Sequence, residues 1–432
     1  MPSRTVLVCG ASGFIGAEVV RALTARGHRV LHGVREPAAW VAQHPGTEAV
    51  AVDFSAPQTP AHWLSVLRGV DVVVNAVGLL RETPSQRFAD VHARSPCALF
   101  EACSRIGVRR VLQISALGAD EHADTAFHLS KRVADDCLLA LPLEGVVLQP
   151  SLVFGASGAS TAMLASLASA PIVPLPAGGQ QCIQPVHRND LIDAVVRLVE
   201  MAGPPPRRVP VVGPAAVTLQ AYLRGLRQGM GLGRPLWLPL PRALMDRVAR
   251  LGSRRGEALL DEESWRMLQR GNTASAAPLS EVLGRQPEPA THFTAALPDS
   301  ERAALRVNAV MGWSLAFWRI SLAVLWFVSG IVSLGLYPVD ASFVMLERVG
   351  VPSAWTPWAL YGAALLDIAL GVLTLLWPRR RLWLAQIGLI VGYTVAITFG
   401  LPEQWLHPFA PIVKNLPILA MLLTLHALET RP

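Results

Sequence analysis

Three glycines near the start of the chain have the spacing G-x-x-G-x-x-G: Gly10, Gly13 and Gly16. They follow the strand-like run Thr5–Cys9 and open a helix-like run. In that position the first glycine permits a tight turn, the second lets the backbone approach a diphosphate, and the third lets helix pack on strand. The helix N-terminus offers free N–H groups to phosphate. The run predicts a dinucleotide site lined by Gly10, Ser12, Gly13, Phe14, Ile15 and Gly16.

Charged residues at the next two strand ends bear on which dinucleotide binds. Arg35 ends the second predicted strand, where an arginine pairs with the adenosine 2′-phosphate of NADP. An acid there would bond the ribose of NAD instead, and Glu36 is adjacent. Asp53, after the third strand, either accepts from the adenine amino group or caps a turn. We therefore favour NADP(H), with NAD(H) as the alternative.

The run Asn75-Ala76-Val77-Gly78 follows the fourth predicted strand. Small residues there permit close contact, so all four are predicted to line the cofactor; the alternative is an ordinary buried strand end. Up to residue 155, six apolar runs alternate with helical stretches, which is typical of a parallel sheet buried on both faces. The six predicted strands are Thr5–Cys9, Arg29–Val34, Ala49–Val52, Val70–Asn75, Arg110–Ile114 and Gly145–Gln149.

The sequence divides into three predicted parts. Residues 1–155 form a Rossmann-type α/β core with a doubly wound parallel sheet. Residues 156–300 are less regular and rich in proline and glycine, as expected of a small substrate lobe. Residues 301–432 are far more apolar and hold eight of the twelve tryptophans, which favour membrane interfaces. They predict an all-α bundle of four transmembrane helices near 315–336, 358–377, 382–401 and 409–428, each about 20 residues long.

The basic loop Pro378–Arg381 between the second and third spans places that loop in the cytoplasm by the positive-inside rule. With four spans, the N-terminal domain and the C-terminus both lie on the cytoplasmic side of an inner membrane. Three charges lie within the spans, Arg319, Asp367 and Lys414. Because intramembrane charge is costly, Asp367 and Lys414 form either a stabilising pair or a polar site for a quinone or lipid headgroup, whereas Arg319 reaches the interface.

Composition excludes several classes of protein. Charged residues make up 16% of the chain and the net charge is +7, but the basic residues form no stripe with aromatic platforms, so no nucleic-acid partner is expected. The five cysteines have no metal-ligand spacing and are predicted to be reduced and structural, with no metal bound. The N-terminus opens directly into a strand, and we expect no cleavable signal peptide.

Taken together, the Gly10/Gly13/Gly16 spacing and Asn75–Gly78 resemble the extended and atypical short-chain dehydrogenase/reductase superfamily. Ile114–Ala119, Gln149–Gly155 and Gln184–Asp190 resemble its later segments. Within it, the chain is similar to NAD-dependent epimerase/dehydratase-like proteins and to the nucleotide-binding accessory subunit of complex I. The C-terminal residues resemble a DoxX-like membrane domain, with Lys414-Asn415-Leu416-Pro417 as the most telling run.

The resemblance implies a catalytic Ser115 and a Lys131 that binds the nicotinamide ribose. It also reveals a departure, because the family's acid/base tyrosine is Phe127 here and no tyrosine occurs before Tyr222. His128 is a weak substitute, since it points about 100° away on the helix. Two functions remain open. One is a membrane-anchored oxidoreductase acting on a lipophilic carbonyl, isoprenoid or quinone; the other is a non-catalytic NADP(H)-binding structural or sensor module of a membrane complex.

Overall fold

A computed structural model describes residues 3–56, 59–255 and 261–430, except for the side chains of residues 253–255. The chain divides into two compact units, Met1–Ala309 and Val310–Pro432. Each unit has its own apolar core, and each is described by itself.

The first unit is built on a seven-stranded parallel sheet with the order β11-β6-β5-β4-β1-β2-β3. The carboxyl ends of all its strands therefore lie along the same edge of the sheet, here called the sheet edge. Strands β1 and β4 are paired at the centre. This confirms the predicted Rossmann-type fold. The strands of this unit are β1 (Thr5–Cys9), β2 (Arg29–Val34), β3 (Glu48–Ala51), β4 (Val72–Asn75), β5 (Arg110–Ile114), β6 (Glu144–Pro150), β7 (Val153–Phe154), β8 (Ile172–Pro176), β9 (Cys182–Ile183), β10 (Val186–His187), β11 (Arg208–Val211), β12 (Val217–Thr218) and β13 (Leu236–Leu240).

Helices cover both faces of the sheet, so strands such as β1 and β4 are apolar at nearly every position. A smaller lobe packs around a separate core that includes Phe154, Leu223 and Phe293. The helices of the first unit are α1 (Gly16–Ala25), α2 (Pro37–Gln43), α3 (Pro60–Trp63), α4 (Ser95–Ile106), α5 (Ala126–Ala140), α6 (Ala159–Ser169), α7 (Arg188–Glu200), α8 (Leu219–Gly229), α9 (Arg242–Arg255), α10 (Glu262–Arg270) and α11 (Ala277–Leu283).

The seventh strand of the sheet, β11, lies in the region that the sequence predicts to be irregular. It pairs in parallel with β6 and is an outermost strand of the sheet. Pro210 interrupts its short run, and proline within a strand is tolerated mainly at an edge. A four-residue run containing proline therefore resembles a loop until its partner strand is known.

The second unit is helical, and helix α12 runs into it from the first. Its helices are α12 (Asp299–Ile331), α13 (Val339–Arg348), α14 (Thr356–Leu376), α15 (Arg380–Gly400) and α16 (Asn415–Leu428). Among the residues that the structure describes, three helical segments are long and apolar enough to cross a membrane: Asp299–Leu336, Ser353–Leu376 and Arg380–Gly400.

The fourth predicted span, 409–428, contains a shorter helix, and its crossing of a membrane stays a prediction. Helix α16 has 14 residues, or about 21 Å at 1.5 Å per residue, which is short of a hydrocarbon core of about 30 Å. Pro408 and Pro411 lie in the preceding segment, and Ala410 has a φ of 44°. These residues delay the start of the helix. The expected position of the C-terminus depended on four crossings and stays a prediction.

Polar side chains inside the second unit bond mainly to one another. Asp367 accepts a hydrogen bond from Ser329 Oγ at 2.6 Å, whereas Lys414 is exposed. The interpretation of Asp367 and Lys414 as an ion pair is therefore wrong for the part of the chain that the structure describes. Arg319 pairs with Glu429 at 2.9 Å, and its expected position at the membrane interface stays a prediction.

Candidate nucleotide site

The glycine turn after β1 has a geometry that side chains would disrupt. Gly10 has a φ of 78°, and its N–H donates to the Gly33 carbonyl at 3.0 Å. Gly13 donates to the Gly10 carbonyl at 2.9 Å, which closes the turn. A Cβ at Gly16 would lie 2.1 Å from the Gly10 carbonyl oxygen, so α1 starts this close to β1 only because residue 16 has no side chain.

The outer face of the turn is open, while its end is packed. Ser12 and Gly13 are exposed. The ring of Phe14 lies against the backbone of Gly155 and Gly158, where an added Cβ would approach it to 2.8 and 3.0 Å. The Arg188 guanidinium lies 5.3 Å from the centre of that ring. Ile15 packs against the sheet core. The turn thus presents backbone to a ligand on one side and is braced on the other, as diphosphate binding requires.

Arg35 lies directly after β2, next to the turn, because Gly33 of β2 pairs with Cys9 of β1. Arg35 and Glu36 are both exposed, so the arginine is available to a phosphate. Asp53 Oδ1 accepts from the backbone N–H and the hydroxyl of Ser55, at 2.9 and 2.7 Å. This is the turn-capping role that the sequence left open for Asp53.

The side chain of Asn75 shapes the loop after β4. Asn75 is fully buried. Its Oδ1 accepts from the Val77 N–H at 3.2 Å, and its amide donates to Gln113 Oε1 at 2.7 Å. Both ends of this amide are therefore hydrogen-bonded to other groups of the protein. Of the other residues of the loop, Ala76 is half-buried and Gly78 is exposed.

Ser115, Asp135 and Lys131 form a buried polar group at the same sheet edge. Ser115 Oγ donates to Asp135 Oδ2 at 2.6 Å, and Lys131 Nζ donates to the Ile114 and Val77 carbonyls at 3.2 and 3.4 Å. Burial lowers the pKa of Lys131 to about 8 and raises that of Asp135 to about 7. A Cβ at Gly78 would lie 3.2 Å from Lys131 Nζ, so this group borders the predicted cofactor loop.

Phe127 packs in an aromatic cluster next to this group. Its ring lies 5.9 Å from Phe88 and 5.5 Å from His92. His92 Nε2 accepts from the Leu79 N–H at 2.8 Å. Burial lowers the pKa of His92 to about 2 and also lowers that of His128. Both imidazoles are neutral near pH 7, and neither stands in for a tyrosine.

Helix α10 of the smaller lobe closes over the start of α5. Glu263 accepts from the Ala126 N–H at 2.9 Å. Arg270 donates to the Gly118 carbonyl at 2.9 Å and pairs with Asp120 at 2.5 Å. These contacts connect the lobe to the loop after β5, which carries Ser115, and they form one wall of the site.

The structure thus brings most of the predicted residues to one sheet edge, with Asp53 and Asn75 in supporting roles. Asp135 is the site residue that the sequence reasoning missed, although it lies four residues after Lys131 on α5 and therefore on the same helical face. His92 was also missed, because its short-range sequence gives no chemical signal. Among the described residues, no group of three or more His, Cys, Asp and Glu side chains is placed to hold a metal ion.

Two family models match the chain. A model described as NAD(P)H-binding matches residues 10–140, which contain the glycine turn, the loop after β4 and all of α5. A model described as a DoxX-like family matches residues 323–423, which include α14 and α15. The two regions coincide with the two parts of the chain that the sequence assigned to a nucleotide and to a membrane.

Three curated proteins are similar to the N-terminal part. A 3-diazoavenalumate denitrifying reductase from Streptomyces is 31% identical, over 56% of this chain and 86% of its own length. A ceramide reductase from Caulobacter vibrioides is 27% identical, over 55% of this chain and 73% of its own. An NADH dehydrogenase [ubiquinone] 1 alpha subcomplex subunit 9 from Arabidopsis thaliana is 28% identical, over 45% and 50%.

Solved structures share the fold of this unit. A nucleoside-diphosphate-sugar epimerase from Staphylococcus aureus has a TM-score of 0.54 and 14% identity, over 67% of this chain and 99% of its own. An NADPH-dependent quinone oxidoreductase from Escherichia coli, complexed with NADPH, has a TM-score of 0.52 and 19% identity, over 67% and 98%. By its glycine turn, its family matches and its reductase relatives, the chain belongs to the family of NAD(P)H-binding, reductase-like Rossmann proteins and carries a DoxX-like domain at its C-terminal end.

Proposed function

We propose that the chain is a membrane-anchored NAD(P)H-dependent reductase whose acceptor is a lipophilic carbonyl, isoprenoid or quinone. The observation that carries this proposal is the Ser115–Asp135–Lys131 group at the sheet edge that also holds the glycine turn. Two ionisable side chains are buried there, and Arg208, the arginine that pairs with Asp135, lies 3.9 Å from its Oδ2. Burying ionisable groups is costly, so their presence at this position favours a role in chemistry.

The residues present fit a nicotinamide dinucleotide. The backbone of Gly10, Gly13 and Gly16 forms a cradle that side chains would fill. Arg35 offers a cation to a 2′-phosphate, which favours NADP(H) over NAD(H). Lys131 and the backbone at Gly78 are placed to hold the nicotinamide ribose. When bound, such a nucleotide supplies the hydride.

Ser115 and Asp135 supply the proton that reduction of a carbonyl or quinone requires. In its protonated form, Asp135 donates to Ser115 Oγ, and the Ser115 hydroxyl donates to the acceptor oxygen. A carbonyl acceptor then gains a hydride at carbon and a proton at oxygen, whereas a quinone gains the two electrons of the hydride and ends with both hydrogens on oxygen. In either case Asp135 is left ionised next to Lys131. A carboxyl whose pKa is about 7 suits this task near neutral pH. The proposal thereby explains how Phe127 is tolerated.

Two of the comparisons support a lipophilic acceptor. The Caulobacter relative is named a ceramide reductase, and a structure of the same fold is a quinone oxidoreductase. The DoxX-like helices would keep the nucleotide unit close to a bilayer that dissolves such substrates. Three consecutive arginines lie at the connection from α14 to α15: Arg379 just before α15, and Arg380 and Arg381 at its start. They support a cytoplasmic position for that loop and for the nucleotide unit at an inner membrane.

The second candidate is a non-catalytic NADP(H)-binding module of a membrane complex. Phe127 in place of an acidic hydroxyl favours it, as does the similarity to a subunit of NADH dehydrogenase. This candidate requires tight nucleotide binding without turnover and membrane subunits that co-purify with the chain.

Calorimetric titration of the detergent-solubilised chain with NADPH and NADH tests the site. We expect Gly13→Asp to weaken binding by about 100-fold, because it places a carboxylate where the diphosphate charge would lie. Gly233→Asp is the matched control, since residue 233 is exposed and an added Cβ meets no atom within 4 Å. NADPH oxidation with a panel of quinones and long-chain carbonyls then separates the two candidates. Binding without turnover on any acceptor would favour the non-catalytic module. If neither Gly13→Asp nor Gly233→Asp weakened binding, the site would be refuted.

A further inference from the structure

The smaller lobe of the first unit exposes an apolar surface that its own core does not need. Helix α9 buries Met245 and Ala249 against Trp265. A second stripe on the same helix, Leu244, Val248 and Leu251, is 42%, 42% and 59% exposed. These three residues recur at intervals of four and three, so they lie on one side of the helix, beside the buried side.

The strand that leads into α9 also carries exposed apolar residues. In β13, Leu236 and Leu238 are 63% and 45% exposed. Leu236 pairs with Ile172 of β8, which is also exposed. Several large apolar residues exposed on a strand and on the helix that follows it are unusual for a free surface and favour an interaction site. We call the exposed residues Ile172, Leu236, Leu238, Leu244, Val248 and Leu251 the lobe surface.

Arginines flank the lobe surface. Between residues 234 and 252 the sequence contains Arg234, Arg242, Arg247 and Arg250, against a single acid, Asp246. Asp246 is engaged by Trp265 Nε1 at 2.7 Å. Arg247 and Arg250 are exposed and lie on the side of α9 beyond the apolar stripe. An apolar stripe bordered by arginines is the arrangement by which a helix lies in the interface of a bilayer with anionic lipids.

We propose that the lobe surface is a second membrane contact of this chain, in which α9 and β13 lie on an anionic lipid surface. The occupant is a bilayer because a bilayer is always near: α12 begins at Asp299 and continues as an apolar segment of spanning length. This attachment turns a weak surface affinity into an intramolecular one. The charge of the flanking arginines complements anionic headgroups and gives no reason to expect a basic or neutral partner. The proposal does not depend on whether the nucleotide site turns over.

The test uses the full chain, reconstituted in phosphatidylglycerol/phosphatidylcholine vesicles that contain brominated acyl chains. An environment-sensitive fluorophore is attached at Val248→Cys in a background in which exposed Cys182 is serine. Val133→Cys is the matched control, because Val133 is also an exposed valine on a helix of the same unit. We expect brominated lipid to quench the fluorophore at position 248 and leave that at position 133 unchanged.

Two further measurements assign the contact to its cause. Arg247→Glu with Arg250→Glu, or vesicles without phosphatidylglycerol, should reduce the quenching at position 248. Circular dichroism of each variant verifies that the chain is folded. Absence of lipid quenching at position 248, or equal quenching at positions 248 and 133, overturns the proposal. Energy transfer between fluorophores at position 248 of different molecules, without quenching by lipid, would show an interface between two copies and also overturn it.

Discussion

Each unit of the chain contains a buried polar group, and the two groups differ in kind, although the second unit also buries the carboxyl of Asp367, which accepts from Ser329 Oγ. In the first unit, Ser115, Asp135 and Lys131 are joined by one side-chain bond and two bonds to backbone carbonyls. Asp135 Oδ1 has no hydrogen-bond partner among the described residues. In the second unit, Gln386 accepts from Trp326 Nε1 at 2.7 Å and donates to Thr374 Oγ1 at 3.0 Å.

The difference lies in what the buried groups are able to do. An amide, a hydroxyl and an indole cannot change charge near pH 7, so the bonds of Gln386 connect helices α12, α14 and α15 and nothing more. Asp135 and Lys131 have pKa values of about 7 and 8, so both exchange protons near neutral pH. A buried polar group is therefore better evidence of chemistry when it is ionisable and incompletely bonded.

The two lysines of the sequence, Lys131 and Lys414, give the largest expected contrast between the units. Lys131→Met removes the cation that touches the Val77 and Ile114 carbonyls and leaves Asp135 without it, so we expect NADPH oxidation to slow by about 100-fold. Lys414 is exposed at the start of α16, and Lys414→Met should leave the rate within about twofold. Equal losses in the two variants would mean that Lys131 has no special role.

Asp135→Asn should change how stability depends on pH. Burial raises the pKa of Asp135 to about 7, so the folded state keeps a proton that the unfolded state releases, and stability falls as pH rises from about 4 to about 7. Asparagine removes this slope, which we expect to amount to about 2–4 kcal/mol over that range.

Hydrogen exchange of β5 peptides, corrected for the intrinsic rate, measures this slope in the first unit alone. Asp136→Asn is the control, because Asp136 is half-exposed and pairs with Arg132 and Arg208 at the surface. A slope that persists in Asp135→Asn, or disappears equally in the control, would contradict the assignment.

Two fully buried glutamines, Gln386 and Gln113, distinguish the units again. Gln386→Leu should lower the stability of the helical unit by about 1 kcal/mol and leave NADPH affinity unchanged. Gln113→Leu removes the partner of the Asn75 amide and should weaken NADPH binding by about tenfold, since Asn75 holds the cofactor loop. Thermal unfolding in detergent measures the stability, and calorimetry measures the NADPH affinity. If Gln386→Leu weakened NADPH binding and Gln113→Leu did not, the roles assigned to the two glutamines would be wrong.

Phe127→Tyr should have the smallest effect. Phe127 is buried next to the rings of Phe88, His92 and His128, so an added hydroxyl has to fit into a packed aromatic cluster. We expect carbonyl reduction to change by less than about tenfold. A rise of about 100-fold or more would instead show that the site lacks only an acid, against the role proposed for Asp135.

Local patterns of sequence predict much of this molecule. The glycine turn, six of the sheet's seven strands to within two residues at either end, and the apolar helices follow from sterics and hydropathy over short windows. Two predictions needed more information than short windows of sequence provide. The first is the length of the last predicted span, where prolines shorten the helix. The second is the ion pair of Asp367, which depends on how the helices are rotated relative to one another.

The sequence by itself determined where a diphosphate could approach the backbone, because the need for glycine at positions 10, 13 and 16 is a local steric matter. Only the tertiary structure decided that Asp135 accepts from Ser115, that β11 completes the sheet, and that Leu244, Val248 and Leu251 remain uncovered. The physical reason is that hydrogen bonding, strand pairing and burial each depend on a second segment far away in the chain, and no local pattern specifies which segment that is.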